Sequence, residues 1–229
     1  MKKKGIVLIA SSIGVVALIG GFIAYDYFVG NRVEIQEVIP ASAPAQAASV
    51  DVSADALNGT WSIAQPSNVY FSVKTSKEEV NFSMNAVEGS WLVDLENPSV
   101  MSGEGVVDLA SVTSDNPTRD SHIKEAKFLD VANYPDASFK VKSFENVKSD
   151  WKEGETVPLT IAGTLEVKGQ TKDVTFASQA LYSDNTLKLS GTTTVQFSDF
   201  GMENPHTVVL DTENDLTVRL ELNLEKQSL

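Results

Sequence analysis

The sequence has no cysteine. That one absence removes a structural disulfide, a thiolate metal site, a cysteine nucleophile and a lipidated N-terminal cysteine. Histidine is nearly as scarce, with two copies, His122 and His206, too far apart in the chain to form a local metal-binding pair. A three-ligand metal site would need both of them and a distant carboxylate. No G-x-G-x-x-G or Walker pattern occurs, so no phosphate-cradling loop is expected. Basic residues are few, 18 Lys and Arg against 31 Asp and Glu, for a net charge of −13. The first 30 residues hold three lysines and one aspartate, so the remainder is two units more negative than the whole chain. Such a surface does not bind nucleic acid, which needs clustered cations against phosphate. No repeat of fixed period is present.

One long apolar run exists, at the N-terminus. Met1-Lys2-Lys3-Lys4 precedes an almost wholly apolar or small stretch from Ile6 to Ala24, followed by Tyr25, Tyr27 and Phe28. As a helix it rises roughly 28 Å, close to the hydrocarbon thickness of a bilayer. A small-x-small cleavage site does not follow at once, since Ala41-Ser42-Ala43 comes too late. The aromatic residues suit the membrane interface and the lysines the cytoplasmic side. The expectation is a signal anchor over 1–29, contacting the membrane through 6–28, with the rest of the chain extracytoplasmic, periplasmic or at the cell surface. Residues 30–57, which include Pro40-Ala41-Ser42-Ala43-Pro44-Ala45, are expected to be a linker, and 58–229 the folded domain.

Within that domain the hydrophobic period is two. Val69, Phe71 and Val73 form one set, Val80, Phe82, Met84 and Ala86 a second, and Trp91, Val93 and Leu95 a third. A shorter strand is expected in Gly103 to Val112. Val157, Leu159, Ile161, Gly163, Leu165 and Val167 alternate with small or polar residues, as do Leu187 to Phe197 and Leu216 to Leu224. A turn is expected at Gly169 to Lys172, before Val174-Thr175-Phe176. Roughly eight strands with one polar face and no long amphipathic helix predict an all-β, antiparallel fold. Their length and number favour a barrel of about eight strands whose interior can hold a small ligand. Phe82, Met84, Trp91, Phe128, Tyr134, Phe139, Phe197 and Phe200 are the candidates for its interior or mouth. Periodicity does not distinguish a hollow barrel from a filled one.

The stretch from Asp115 to Lys142 breaks the alternation. Asn116-Pro117 interrupts the chain, Thr118 can cap a short helix from about Arg119, and Asn133-Tyr134-Pro135-Asp136 is turn chemistry. Asp120, Ser121 and His122 have the residue types of a nucleophilic triad, but neighbours on a helix point in different directions. Arg119 and Asp120 are expected instead to hold the helix on the barrel rim, and no enzymatic activity is expected.

Arg119-Asp120-Ser121-His122-Ile123, then Phe128-Leu129-Asp130, Tyr134-Pro135 and Phe139 resemble the central signature of the YceI-like family of lipocalin-like, polyisoprenoid-binding barrels. The opening Gly59-Thr60-Trp61-Ser62-Ile63, the turn Gly163-Thr164-Leu165-Glu166-Val167-Lys168-Gly169-Gln170-Thr171-Lys172 and the late Asp199-Phe200-Gly201-Met202 fit the same family in the same order. The resemblance covers about Gly59 to Leu224. It implies a long-chain isoprenoid lipid or quinone as ligand, with no other cofactor. With the ligand so named, the candidate lipid contacts are the eight residues above together with His122, Leu165 and Val195. Gln170 stands where valine is common. Phe197 stands where many members carry a basic residue, which puts a neutral head group such as a quinone ring on equal footing with a phosphate. The alternative is a filled barrel serving as an interaction or structural module of the cell envelope.

Overall fold

A computed structural model describes residues 33–40, 50–76, 78–205 and 211–227. The apolar run at 6–28 lies outside these residues, and among them no helix is long and apolar enough to cross a membrane. The elements in chain order are β1 (Asp51–Val52), α1 (Ala54–Leu57), β2 (Gly59–Thr75), β3 (Glu79–Met84), β4 (Val87–Val93) and β5 (Ser102–Asp108). After these come α2 (Pro117–Ile123), β6 (Asp136–Glu145), β7 (Trp151–Lys152), β8 (Thr156–Val167), β9 (Gln170–Ser183), β10 (Thr186–Gln196) and β11 (Thr212–Lys226).

The sheet runs β2-β4-β5-β6-β8-β9-β10-β11, all antiparallel, and β11 returns to β2, closing an eight-strand barrel. β3 continues into β4 after Asn85-Ala86, and both pair with the long β2: Lys74↔Glu79 to Val69↔Met84, then Ser62↔Ser90 to Gly59↔Val93. Between these two pairings β2 is irregular, and its register to β11 shifts between Glu221 and Asn223. There the fully buried Ser67 supplies what the ladder loses: its hydroxyl donates to Ala64 O at 2.6 Å and accepts from Asn223 N at 2.9 Å.

Three local expectations need correction. The β8–β9 turn is Lys168-Gly169, not 169–172, with φ of 52° and 68°. A two-residue hairpin loop with both φ positive suffices, so Gln170 is already paired with Val167. The cap of α2 is Asn116, not Thr118: its side chain accepts from Thr118 N at 3.1 Å and Arg119 N at 3.2 Å. Pro117 then occupies the first helical position, where its missing N–H loses no intrahelical bond. The strand expected through Val112 ends at Asp108 and passes into a short 3-10 turn at Leu109–Ser111.

The helical pieces between β5 and β6 and between β10 and β11 gather at one end of the barrel, near the end of β8 and the start of β9. Inward residues mix the very large with the very small, so that rings can cross the bore. Gly163 is the clearest case: a Cβ there would lie 2.5 Å from Lys140 O and 2.5 Å from the Phe139 ring.

Residues 33–40 lie in the stretch expected to be linker, and they pack on the outer wall. Val33 and Ile39 are buried. Asn81 Nδ2 donates to Val33 O at 3.1 Å, Gln36 N to Tyr70 Oη at 3.2 Å and Val38 N to Glu221 Oε2 at 2.9 Å. Arg219 Nη1 meets Glu37 Oε1 at 3.0 Å. This strap explains a polar residue with no exposed surface: Glu221 alternates outward on β11, yet it is fully covered. Ser190 Oγ donates to it at 2.8 Å, and Arg219 Nη1 lies 3.5 Å away. Burial pushes the Glu221 carboxyl above its ordinary value, against the opposing pull of the Val38 N–H, the Ser190 hydroxyl and the Arg219 guanidinium.

Two expected outcomes follow from this packing. Gly163→Ala should destabilise the barrel by about 1–3 kcal/mol in thermal or urea unfolding, because backbone and ring must both give way. For Glu221 the folded pKa is raised, so its contribution is fully present below the ordinary glutamate value of about 4.3 and is lost as pH rises through the folded value. Wild type should therefore lose stability relative to Glu221→Gln as pH is raised across that window, read as the shift in urea midpoint.

Candidate functional site

The barrel encloses a cavity of about 110 Å³ whose facing surface is almost wholly carbon. Strand residues build its wall: Ile63, Val69 and Phe71 from β2, Met84, Val87 and Trp91 from β3 and β4, Val107 from β5, and Ala137 and Phe139 from β6. Leu165 and Val167 from β8, Phe176 from β9, Val195 from β10 and Leu216 to Leu222 of β11 complete it. Leu109, Ile123, Leu129, Phe197, Phe200 and Met202 cover the helical end. A smaller cavity of about 50 Å³ occupies the opposite half, among Leu57, Phe144, Trp151, Leu187, Leu189 and Leu224. Trp91 borders both.

Of the residues singled out from sequence, Met84, Trp91, Phe139, Leu165, Val195, Phe197 and Phe200 line the larger cavity. Four do not. Phe82 is buried on the same face as its cross-strand partner Phe71, stacked on it at 4.4 Å between centroids, and does not reach the cavity. Phe128 is buried with its ring edge-on to His122 at 5.5 Å, while His122 Nε2 faces Glu125 Oε2 at 3.4 Å outside the bore. Tyr134, 40% exposed, lies across Gly169, where a Cβ would come within 2.8 Å of its ring. Aromatic character marks these residues as packing groups, but only the tertiary path of the connection tells a rim contact from a bore contact. The aliphatic wall contributed by β11 and Ile63 was missed because, in sequence, it reads as ordinary core.

The connection 109–135 forms a lid held by polar contacts. Asp120 Oδ2 accepts from Thr113 Oγ1 at 2.8 Å, and Oδ1 accepts from Ser114 N at 2.7 Å and Ser114 Oγ at 2.5 Å. Arg119 Nε donates to Ser114 Oγ at 2.8 Å, and the guanidinium stands 5.9 Å above the Phe82 ring. Ser121 Oγ donates to Pro117 O at 2.9 Å. Asp120 thus faces Thr113 and Ser114, Ser121 faces Pro117, and His122 faces Glu125.

The neighbouring loops tie into the same lid. Lys168 Nζ donates to Ala126 O at 2.7 Å, and Glu203 N to Lys127 O at 3.2 Å. Lys172 pairs with Asp199, and Gln196 N donates to the same carboxylate at 2.9 Å. The Lys172 ammonium, helped by the Gln196 N–H, holds the Asp199 carboxyl below its ordinary value against partial burial. No cationic side chain lines the larger cavity among the described residues.

Comparison with known proteins agrees with this geometry. Residues 61–225 match the family described as YceI-like domain. A UPF0312 protein of Pseudomonas putida is 29% identical over 140 residues, which is 57% of this chain and 68% of that protein. The crystal structure of BcnA from Burkholderia cenocepacia superposes with a TM-score of 0.59 at 16% identity, covering 69% of this chain and 95% of that one. A polyisoprenoid binding domain from Saccharophagus degradans, implicated in plant cell wall breakdown, superposes with a TM-score of 0.58 at 13% identity, covering 74% and 99%.

Asp120 makes three of the lid's hydrogen bonds, two of them to side-chain hydroxyls. Asp120→Ala should lower stability by about 1.5–3 kcal/mol, the range for hydrogen bonds to a charged group. Amide exchange should accelerate over 112–135 more than over β8 to β10, since the loss is local to the lid.

Proposed function

The chain belongs to the YceI-like domain family, and from that premise we propose that it binds a polyisoprenoid or related long-chain amphiphile, a prenyl lipid or isoprenoid quinone, inside the barrel. The carbon-walled cavity beneath the lid carries this reading. Such a space suits a hydrocarbon tail and offers nothing to a polar metabolite. Burying roughly ten tail carbons stabilises a complex by on the order of 8 kcal/mol, before ordering costs, without any charged contact. The solved polyisoprenoid binding domain with the same fold supports the ligand class. Carriage, storage or stress protection are the roles open to a binder without turnover.

The proposed location is the outer face of a cell membrane, with 6–28 as a single span. The strap supports a close approach. Val33 lies against Asn81, two residues into β3 near the helical end, and follows Phe28 by five residues. Five residues reach at most about 18 Å. A span ending at Phe28 would therefore hold the lidded end of the barrel near the bilayer, raising the effective concentration of a lipid ligand there.

Native mass spectrometry of the full-length protein, followed by denaturation, tests the proposal. A stoichiometric adduct with the mass of a prenyl lipid or quinone is expected. Phe139→Asp, which puts a charge into the carbon wall, should cut uptake by about tenfold or more, whereas His122→Ala should leave it unchanged. A clean apo mass with no uptake of added prenyl lipid would move the assignment to a filled-barrel interaction module.

A further inference from the structure

Among the described residues the two cavities share one lining residue, Trp91. The other wall residues fall to one side or the other. On β8, Val157, Leu159 and Ile161 face the smaller space, whereas Leu165 and Val167 face the larger. On β9 the division falls between Ala180 and Phe176, and on β10 between Leu189 and Val195. The inward positions between these sets are Gly163, Ser178, Gly191 and Thr193, so β8 to β10 carry only small side chains at the waist. The indole of Trp91, reaching in from β4, stands between the two spaces.

That ring is enclosed on every side but the cavities. Gly103, its partner on β5, lies against it, and a Cβ there would come within 2.6 Å of the ring. Trp61, its partner on β2, is fully buried and donates through Nε1 to Leu57 O at 2.8 Å. Phe144 packs edge-on at 6.1 Å. A close-packed interior has no room for so large a ring to swing aside. Each methylene that leaves water for a carbon-walled space tightens binding by about fourfold at most. A tail entering beneath the lid makes that gain until it meets the indole. Carbon beyond that length stays outside the cavity and adds little.

We propose that Trp91 sets the length of hydrocarbon that the barrel buries: the tail ends against the indole, and the smaller cavity lies beyond the site. The selection is steric, made by the volume of the ring alone. It rests on the lipid-binding reading and adds a chain-length specificity to it.

The test titrates full-length protein with geraniol, farnesol, geranylgeraniol and geranylfarnesol, a series that lengthens by a prenyl unit at each step. Native mass spectrometry reads each dissociation constant. Affinity should rise by about tenfold or more per unit up to a limit, and by less than about twofold beyond it. Trp91→Ala should move that limit by about one unit or more, because loss of the indole joins the two spaces. Ala180→Leu fills the smaller cavity only; it should leave every wild-type affinity unchanged and restore the wild-type limit when added to Trp91→Ala. In methyl-labelled wild type, nuclear Overhauser contacts from the bound alcohol should reach Leu165 and Val195 but not Leu187 or Leu189. Affinity that climbs through the whole series, a limit unmoved in Trp91→Ala, weaker wild-type binding on Ala180→Leu, or contacts to Leu187 or Leu189 would overturn the length limit while leaving lipid binding intact. Binding of none of the alcohols would overturn the lipid-binding reading and the length limit together. The wild-type contacts and Ala180→Leu decide the matter even if Trp91→Ala does not fold.

Discussion

The antiparallel ladder between β11 and β2 extends from Thr212↔Thr75 to Lys226↔Trp61, and through it the last strand of the domain closes on the first long one. Without it the sheet would have two long exposed edges and an apolar face with nothing to cover it. With it, every inward residue acquires an opposite wall, and a two-residue alternation becomes a bore. The contact joins positions more than 130 residues apart, so its loop-closure entropy is high and the barrel is cooperative only as a whole. The strap 33–40 reinforces the same seam from outside, bridging β3, β2 and β11 through Asn81, Tyr70 and Glu221.

The lid is a second system with different physics. The bore is held by carbon contacts, whereas the lid is fastened by charge and hydrogen bonds: Asp120 to Thr113 and Ser114, Lys168 to Ala126 and Lys172 to Asp199. Asp120, Lys168, Lys172 and Asp199 come from three separate stretches of sequence that resemble the family, and the fold brings them to one end of the barrel. Their shared feature is therefore structural, keeping short helices and turns seated above an apolar space. This also explains why Arg119 and His122 are functional in appearance without lining the cavity.

Cavity and filler coexist inside the barrel because side-chain sizes are unevenly distributed. Gly103 gives its volume to the Trp91 ring and Gly163 gives its volume to Phe139. Trp91 in turn separates the larger space from the smaller one. The wall that leaves the larger cavity open is mainly aliphatic, from β8, β10 and β11, so the space is shaped by the absence of rings as much as by their presence.

Sequence alone determined the fold class and most strand positions, because alternation such as Val157 to Val167 or Leu216 to Leu224 is a local signal set by the pleat. It also identified the polar cluster at Arg119 and Asp120 as rim structure, since helical geometry is local too. Tertiary structure decided what no local period encodes. Phe82 and Phe139 both sit at apolar strand positions, yet Phe82 is spent stacking on Phe71 while Phe139 lines the cavity. Glu221 reads as an ordinary solvent-facing residue of β11 until the distant strap covers it. Trp91 looks the same in sequence as Trp61 and Trp151; only the barrel denies its N–H the carbonyl that the other two find. Periodicity reports which face a residue takes, whereas burial, partnership and empty volume depend on what the closed sheet places opposite it.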